Sequence, residues 1–593
     1  MPSKTYWDLT PLYPNPQAPQ LRHDLQQLAE QAESFRLRCK GKIASLAAPA
    51  LASALNDYEQ LQAKGLRPYL YAQLLFCADS RPDGHKELLA LVREDWSQVS
   101  ERLLFFELEL MQLAQPQFEN LQQSAELAPY RHYLNQLRKG APYMLSEEVE
   151  QAIKRKDLTG KEAFAQLFEE LTSAFSYNFK LPGAAEATEV TGEELLALLY
   201  HADGQVREQA FATFLDKHRD NALVLTACFN NLLLDHEREG GLRKYPDLMT
   251  PTHLSSETEP QMVEQMMAVT EQNYGLAREY FALKKRLLGL ETMKNTDIYA
   301  PLPGSDRQFT LAEAQQLVSD AFSDFSPQLA AIAKGFFDDR RIDCHPAPGK
   351  TGGAFCMGML PGYQPYVLLN FTGNLRDVST LAHELGHGVH FALSQQQNLY
   401  HYQAPLPLAE TASVFAEMLL TRKLLDREQD KQLRIELLCV KLEEIIATTF
   451  RQNALTRFEI AAHKKRAEGL LSPDDYCELW WQENAKLFGD SVEMIEPYRW
   501  GWAYISHFIH SRFYCYSYVF GELLVLALYQ QYQKQGEAFV PLYLDLLKAG
   551  GSAPPQELLA PFGIDLSDPG FWQQGYDFVW GLLGELKELT GFD

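Results

Sequence analysis

Apolar residues recur every three or four positions along most of this chain, which is the period of a helix with one buried face. Residues 21–47 and 259–290 show this pattern clearly. It predicts that about residues 21–300 form packed helices. Glycine, proline and small polar residues interrupt the pattern and predict breaks at residues 139–144, 180–190 and 244–260.

The pattern changes between residues 344 and 372, where glycine and proline separate two short segments rich in β-formers. It predicts a hairpin with strands at residues 353–360 and 365–371, joined by a turn at Pro361 and Gly362. We expect residues 366–370 to offer a sheet edge to an extended peptide. The helical pattern then resumes to the end, so the predicted fold is mostly α with one small β-sheet.

The length and charge of the chain limit the folds and partners that it can have. A chain of 593 residues is too long for one compact core and predicts two or more lobes. Its 78 acidic and 54 basic residues give a net charge of −24, which argues against nucleic acid or a membrane surface as the main partner. The eight cysteines show no CxxC spacing, and no apolar run approaches ~18 residues, so we expect a cytoplasmic protein.

The segment LRDVSTLAHELGHGVHFALS, residues 375–394, contains candidate metal chemistry. On a helix, His383 and His387 lie one turn apart and can bind the same ion. Glu384 lies beside them and can take a proton from a water activated by zinc. The motif alone fits either a zinc-hydrolase site or two solvated histidines on a surface helix, and the choice depends on a third ligand.

The surrounding residues favour a helix packed closely against its neighbours. Apolar residues form one stripe, and Asp377 is the expected N-cap. Gly386 and Gly388 are poor helix formers, which indicates a close approach by another element. The stripe consists of Val378, Leu381, Leu385 and Val389.

A catalytic zinc needs a third protein ligand. His390 is unsuitable, because about 10 Å of helix rise separates it from His383. The metzincin pattern is also absent, since Leu393 stands where it needs histidine. In the downstream segment APLPLAETASVFAEMLLTRKLL, Glu410 and Glu417 are a heptad apart on one face of a predicted helix. We expect Glu410 to be the third ligand and Glu417 to orient a ligating imidazole.

A second polar face occurs in WAYISHFIHSRFYCYSYVFGELL. If this segment is helical, His507, Tyr514 and Tyr518 share one stripe with His510, whereas Tyr516 lies opposite. We expect His507, Tyr514 and Tyr518 to line a cleft and donate hydrogen bonds to a substrate carbonyl. The alternative is aromatic packing with hydrated hydroxyl groups.

Together these motifs resemble the M3 metallopeptidases, specifically their oligoendopeptidase F branch. The resemblance rests on HELGHGVH, ETASVFAE, GKTGGAFC, DIYAPL and the aromatic segment. It also covers YWDLTPLYPNP at the start and APYMLSEEVEQAIKRKDLTGKEAF, and so extends over nearly the whole chain.

The resemblance implies a two-lobed helical fold with a deep substrate channel and the small sheet beside the HExxH helix. It implies one zinc ion per chain, bound by His383, His387 and Glu410. It also implies that Glu384 is the general base and that Glu417 accepts a hydrogen bond from a ligating imidazole. It further implies an endopeptidase that cuts short unstructured oligopeptides. We divide the chain into an N-terminal helical region, residues 1–190, and a catalytic region, residues 191–593.

Several alternatives stay open at this point. His510 competes with His507, because the histidine-to-tyrosine spacing differs from that of thimet-type relatives. A zinc-dependent exopeptidase of the dipeptidyl carboxypeptidase type would need a cationic group for the substrate's terminal carboxylate. A non-catalytic peptide-binding scaffold would not depend on Glu384.

Overall fold

Helices form most of the protein in the computed structural model, which describes residues 6–302 and 307–592. In chain order the helices are α1 Pro19–Cys39, α2 Ala48–Ala78, α3 Asp83–Met111, α4 Gln115–Gln122, α5 Arg131–Gly140, α6 Glu147–Asp157, α7 Lys161–Ser173, α8 Gly192–Ala197, α9 Gly204–Asp220, α10 Ala222–Arg243, α11 Thr250–Ser256, α12 Pro260–Gln272, α13 Tyr274–Leu287, α14 Leu311–Phe325, α15 Pro327–Asp338, α16 Leu375–Leu393, α17 Leu406–Ala409, α18 Thr411–Arg427, α19 Lys431–Ile446, α20 Gln452–Glu468, α21 Pro473–Phe488, α22 His507–His510, α23 Tyr516–Gln535, α24 Phe539–Ala549, α25 Pro555–Leu559 and α26 Pro569–Thr590. The strands are β1 Tyr177–Phe179, β2 Thr188–Val190, β3 Ile342–Asp343, β4 Phe355–Met357 and β5 Tyr366–Leu368. The predicted mostly helical fold is confirmed.

The described residues divide into two compact units, each built from three separate chain segments. The first unit contains residues 6–147, 307–423 and 531–564, and the second contains residues 148–302, 424–530 and 565–592. This partition differs from the division at residues 190 and 191, which stays a prediction. Sequence position alone does not reveal a chain that enters each unit three times. Within the described residues, no helix combines the length and the apolar character needed to cross a membrane.

Packing in the first unit joins the start of the chain to the small sheet. The Trp7 ring meets Tyr366 of β5 edge to face, with centroids 6.1 Å apart. The Tyr366 hydroxyl donates to the carbonyl of Asp8 at 2.8 Å. A separate core cluster joins α1, α2 and α3, where Phe35, Tyr58 and Phe106 form one aromatic group. Apolar burial therefore holds distant chain segments together in this unit.

The predicted hairpin is present, but its strands are shorter than expected. β4 and β5 pair antiparallel, with Cys356 opposite Val367. The sequence missed β3, which pairs parallel to the other side of β5 and is only two residues long. β5 is therefore the central strand of the sheet, and both of its edges are paired. The expectation that residues 366–370 offer a free edge to a peptide is wrong, because β3 and β4 pair with the two edges of β5.

Aromatic side chains fill the interior of the second unit. Phe229 of α10 stacks on Trp502 and Phe508, with centroids 5.9 and 5.8 Å apart. Phe458 of α20 meets Trp480 edge to face at 5.5 Å. A π-helical turn, Ala447–Arg451, separates α19 from α20.

Candidate metal centre and catalytic residues

Helix α16 carries the HExxH motif in the first unit, where it packs against α14, α15, α24 and the sheet. The four stripe residues predicted from the sequence are all buried. The predicted N-cap is wrong by three positions. Asn374 caps the helix by accepting from the backbone N–H of Asp377 at 2.9 Å. The Asp377 carboxylate accepts instead from the backbone of Thr372 and Gly373, which precede the helix.

The two glycines of the motif allow two neighbouring elements to approach α16, as the sequence indicated. A Cβ at Gly386 would lie 2.5 Å from the carbonyl oxygen of Ala412, at the start of α18. A Cβ at Gly388 would lie 2.3 Å from the ring of Phe336 in α15. Both distances are shorter than van der Waals contact. Glycine at position 386 therefore allows the start of α18 to approach the histidines.

The structure brings His383, His387 and Glu410 together. One ligand atom from each lies within 4.8 Å of the others, and all three side chains are partly exposed. Oε2 of Glu410 is 3.4 Å from Nε2 of both histidines. Glu410 lies at the junction between α17 and α18, so Glu410 and Glu417 do not share one continuous helix as expected. Two imidazoles and a carboxylate form a donor set that suits zinc. His390 is buried and is not part of this group.

Two further contacts orient the candidate ligands. Nδ1 of His383 is 2.6 Å from Oε1 of Glu417 in α18. A proton on Nδ1 leaves the lone pair of His383 on Nε2, the atom that faces Glu410. Ser413 donates its hydroxyl to Oε2 of Glu410 at 2.6 Å. Sequence reasoning missed Ser413, although a serine three residues after a carboxylate in a helix is a possible signal.

Aromatic packing holds the start of α18 in the first unit. Phe415 of α18 stacks on Tyr543 of α24, with centroids 4.4 Å apart. The Tyr543 hydroxyl donates to the carbonyl of Thr411 at 2.9 Å. Tyr543 is fully buried, so this contact is shielded from water. Glu410 and Glu417 thus lie on a firmly packed segment.

Glu384 differs from the other acids of the group, because it is 5% exposed. Its Oε2 atom is buried and has no hydrogen-bond partner among the described residues. Burial raises the pKa of Glu384, whereas His383 and His387 oppose that rise. A carboxylate with a raised pKa accepts and returns a proton more readily near neutral pH.

The charges of the group shift the pKa values of its side chains. Burial raises the pKa of Glu410, but its hydrogen bond and attraction to His387 prevail and lower it to about 2. Burial lowers the pKa of His383, but Glu417 and Glu410 prevail and raise it to about 9. The neighbouring carboxylates therefore favour an imidazolium at His383, and a metal ion that binds Nε2 would displace one of its protons.

In the second unit, the structure groups His507, Tyr514 and Tyr518. Nε2 of His507 is 3.1 Å from the Tyr518 hydroxyl. The Tyr514 ring stacks on His507 at 5.6 Å and meets Tyr518 at 5.1 Å. His510 lies elsewhere and contacts Glu169 at 2.6 Å. Tyr516 is buried, and its hydroxyl bonds with that of Thr258. These positions group His507 rather than His510 with the tyrosines.

The three side chains do not lie on one helix, contrary to the helical assumption. α22 ends at His510, and Phe513 has a left-handed φ of 54° before α23 begins at Tyr516. Glu459 of α20 accepts from the backbone N–H of Phe513 at 3.0 Å. This bond stabilises a conformation that non-glycine residues rarely adopt. The turn, rather than helical spacing, brings Tyr514 to His507.

Models of two protein families match most of the chain. A model described as peptidase family M3 matches residues 197–578. A second model, described as oligopeptidase F, matches residues 109–177. Both matches agree with the resemblance inferred from the motifs.

Individual relatives match over most of their length. Oligopeptidase PepF of Bacillus subtilis is 25% identical over 599 residues, covering 98% of this chain and 87% of its own. An oligoendopeptidase F homolog of Lactococcus lactis subsp. lactis is 26% identical, covering 88% of this chain and 87% of its own.

Solved structures share the fold. Oligoendopeptidase-F from Enterococcus faecium superposes with a TM-score of 0.74 at 23% identity, covering 96% of this chain and 99% of that one. PZ peptidase A with an inhibitor gives a TM-score of 0.75 at 16% identity, covering 96% of this chain and 97% of that one.

Proposed function

The chain belongs to peptidase family M3, and from this membership we propose that it is a zinc-dependent endopeptidase of the oligoendopeptidase F type. Its proposed substrates are short unstructured oligopeptides, which it hydrolyses at internal peptide bonds. One observation carries the proposal: His383, His387 and Glu410 converge within 4.8 Å. Glu384, which is 5% exposed, follows the first of them in the chain.

The proposed ligands of the zinc ion are Nε2 of His383, Nε2 of His387 and a carboxylate oxygen of Glu410. Zinc supplies Lewis acidity, which lowers the pKa of water and polarises a carbonyl group. Glu417 holds the proton on Nδ1 of His383 and thereby keeps Nε2 available. Ser413 fixes the Glu410 carboxylate by donating to Oε2.

Glu384 is the proposed general base. It takes a proton from the attacking water and later delivers it to the leaving amine nitrogen. The burial of Glu384 supports this role because it raises the pKa of the carboxylate. Its unpartnered Oε2 atom also supports it, since no hydrogen bond among the described residues competes for the oxygen.

His507, Tyr514 and Tyr518 are the proposed donors to the substrate. Phenol and imidazole N–H groups can stabilise the negative charge that develops on the carbonyl oxygen during attack. The 3.1 Å contact between His507 and Tyr518 supports a shared polar surface. The pKa of His507 is lowered by burial first and by Arg451 and His510 next. A neutral His507 can donate one N–H and accept one bond.

Cleavage of a flexible peptide blocked at both ends, with products identified by mass spectrometry, tests the proposed function. Internal cuts that depend on zinc are the expected result. Survival of the blocked peptide, with loss of terminal residues from an unblocked one, would favour the dipeptidyl carboxypeptidase alternative. No cleavage of either peptide would favour a non-catalytic scaffold.

A further inference from the structure

Arg451, at the end of the π-helical turn in the second unit, is a cation with no acidic partner among the described residues. Its Nη2 atom donates to the Tyr504 hydroxyl at 3.1 Å, and Tyr299 lies close enough to interact electrostatically with its guanidinium. No carboxylate forms an ion pair with it in the part of the chain that the structure describes. Phenol hydroxyls satisfy hydrogen bonds but do not balance a full positive charge.

Several other sequestered cations of the same unit have acidic partners, and Arg512, which forms no ion pair among the described residues, is attracted by Glu459 and Asp235. Arg207 bonds with Asp297 at 2.6 Å, and Lys284 contacts Glu443. Arg457 bonds with Glu271 at 2.7 Å and with Glu264 at 2.8 Å. Sequestering a charge without a counter-charge is costly, which explains these pairs. The contrast is consistent with an acidic partner of Arg451 that comes from outside the chain.

The surroundings of Arg451 suit a ligand. Arg451, Tyr299 and Tyr504 are each partly exposed, although the neighbouring Ala300 and Ile505 are buried. Phe214 packs against the Tyr504 ring at 5.4 Å. A guanidinium has five N–H donors, so the bond to Tyr504 leaves donors for a further acceptor. The site is therefore accessible, positively charged and backed by apolar packing.

Arg451 also belongs to the surroundings of the proposed substrate donors. It is close enough to His507 to lower the pKa of that imidazole electrostatically. The backbone supports a special role, because Ala447–Arg451 forms a π-helical turn between two α-helices. Such turns are uncommon and frequently occur at functional sites.

We propose that Arg451, with Tyr299 and Tyr504, forms a binding site for a carboxylate group of the peptide substrate. Arginine matches the planar geometry of a carboxylate with two parallel N–H donors. The group is either the C-terminal carboxylate or an Asp or Glu side chain. This inference rests on the proposed function, since it defines the substrate as an oligopeptide that carries a carboxylate group.

Binding measurements on uncleaved peptide test the site without relying on catalysis. One N-acetylated peptide is prepared as a free acid, as a C-terminal amide, and as an amide with glutamate near its end. Calorimetry gives the dissociation constants for full-length Glu384→Gln protein, alone and combined with Arg451→Gln or Arg451→Lys. Lys464→Gln is the matched control, because Lys464 is exposed on α20 and has no ion-pair partner among the described residues.

The expected result is that the free acid binds about tenfold more tightly than the amide. Arg451→Gln removes that difference, Arg451→Lys retains part of it, and Lys464→Gln leaves it intact. Tight binding of the glutamate-bearing amide would identify a side chain as the source of the carboxylate. Equal binding of all forms, no binding of any form, or a preference that survives Arg451→Gln would overturn the site. Peptide cleavage by the native protein is measured separately. Failure of the proposed endopeptidase function can therefore be distinguished from failure of the carboxylate site.

Discussion

Nδ1 of His383 lies 2.6 Å from Oε1 of Glu417, two turns into helix α18. The contact joins the helix of the two histidines to the helix that follows Glu410. Because an imidazole with a proton on Nδ1 has its lone pair on Nε2, Glu417 determines which nitrogen of His383 can bind metal.

Replacing Glu417 by alanine is therefore expected to weaken zinc binding about 10- to 100-fold. Glu417→Gln keeps an acceptor for the Nδ1 proton and is expected to cost less. Competition with a chromophoric chelator gives both affinities. If the alanine variant retains native affinity, Glu417 does not orient the ligand.

Gly386→Ala is expected to destabilise the protein by about 1–3 kcal/mol, because the added methyl meets the backbone of α18. Its nearest contact would be the Ala412 carbonyl oxygen at 2.5 Å. Zinc affinity should fall too, since Glu410 directly precedes α18. Gly581→Ala in α26 is the matched control, because nothing lies within 4 Å of its added Cβ. It should stabilise by up to ~1 kcal/mol. If Gly386→Ala and Gly581→Ala had the same effects on thermal unfolding and on zinc affinity, the close packing at Gly386 would not explain the result.

Tyr514→Phe should lower kcat about 10²- to 10³-fold if its hydroxyl donates to the developing charge. Zinc content should not change, because Tyr514 is not a candidate ligand. Tyr200→Phe is a suitable control, since Tyr200 is 47% exposed in the same unit. An unchanged kcat for the Tyr514 variant would show that the Tyr514 hydroxyl does not donate to the substrate, and would favour a role in aromatic packing.

The raised pKa of Glu459 predicts how the free energy of unfolding depends on pH. Burial raises its pKa from 4.5 to about 8, although the Phe513 N–H and Arg512 oppose the rise. Between these values the folded chain keeps a proton that the unfolded chain releases. The free energy of unfolding therefore falls as pH rises through this range, by at most about 1.4 kcal/mol per pH unit.

Glu459→Gln keeps an acceptor for Phe513 but cannot ionise. Its stability relative to the native protein should increase from pH 5 to pH 8, as measured by denaturant unfolding. Glu588→Gln, an exposed change in the same unit, should show no such trend. A constant difference between Glu459→Gln and the native protein would contradict the pKa of Glu459.

Local sequence patterns predicted the features that depend on short-range spacing. The four apolar stripe residues of α16 are buried as predicted, and the two glycines meet neighbouring elements as expected. The hairpin was also predictable, because its strands are short runs rich in β-formers beside turn residues. The mostly helical fold follows from the same periodicity.

Long-range pairing was less predictable. β3 consists of two residues and pairs with a strand more than twenty positions away, so no local pattern marks it. The break between α22 and α23 depends on Glu459, which holds Phe513 from another helix. Arg451 gave no signal either, because an arginine in an amphipathic helix predicts only an exposed charge. Its lack of an acidic partner within the described part of the chain is visible only in three dimensions.

The measurement that tests the central claim most directly compares native protein with Glu384→Gln at matched zinc content. The substrate is a peptide blocked at both ends, and cuts are mapped by mass spectrometry. We expect internal cleavage by the native protein and at least a 10²- to 10⁴-fold lower kcat for the variant, with zinc still bound. Equal cleavage by both proteins would show that Glu384 is not the general base and would contradict the proposed mechanism.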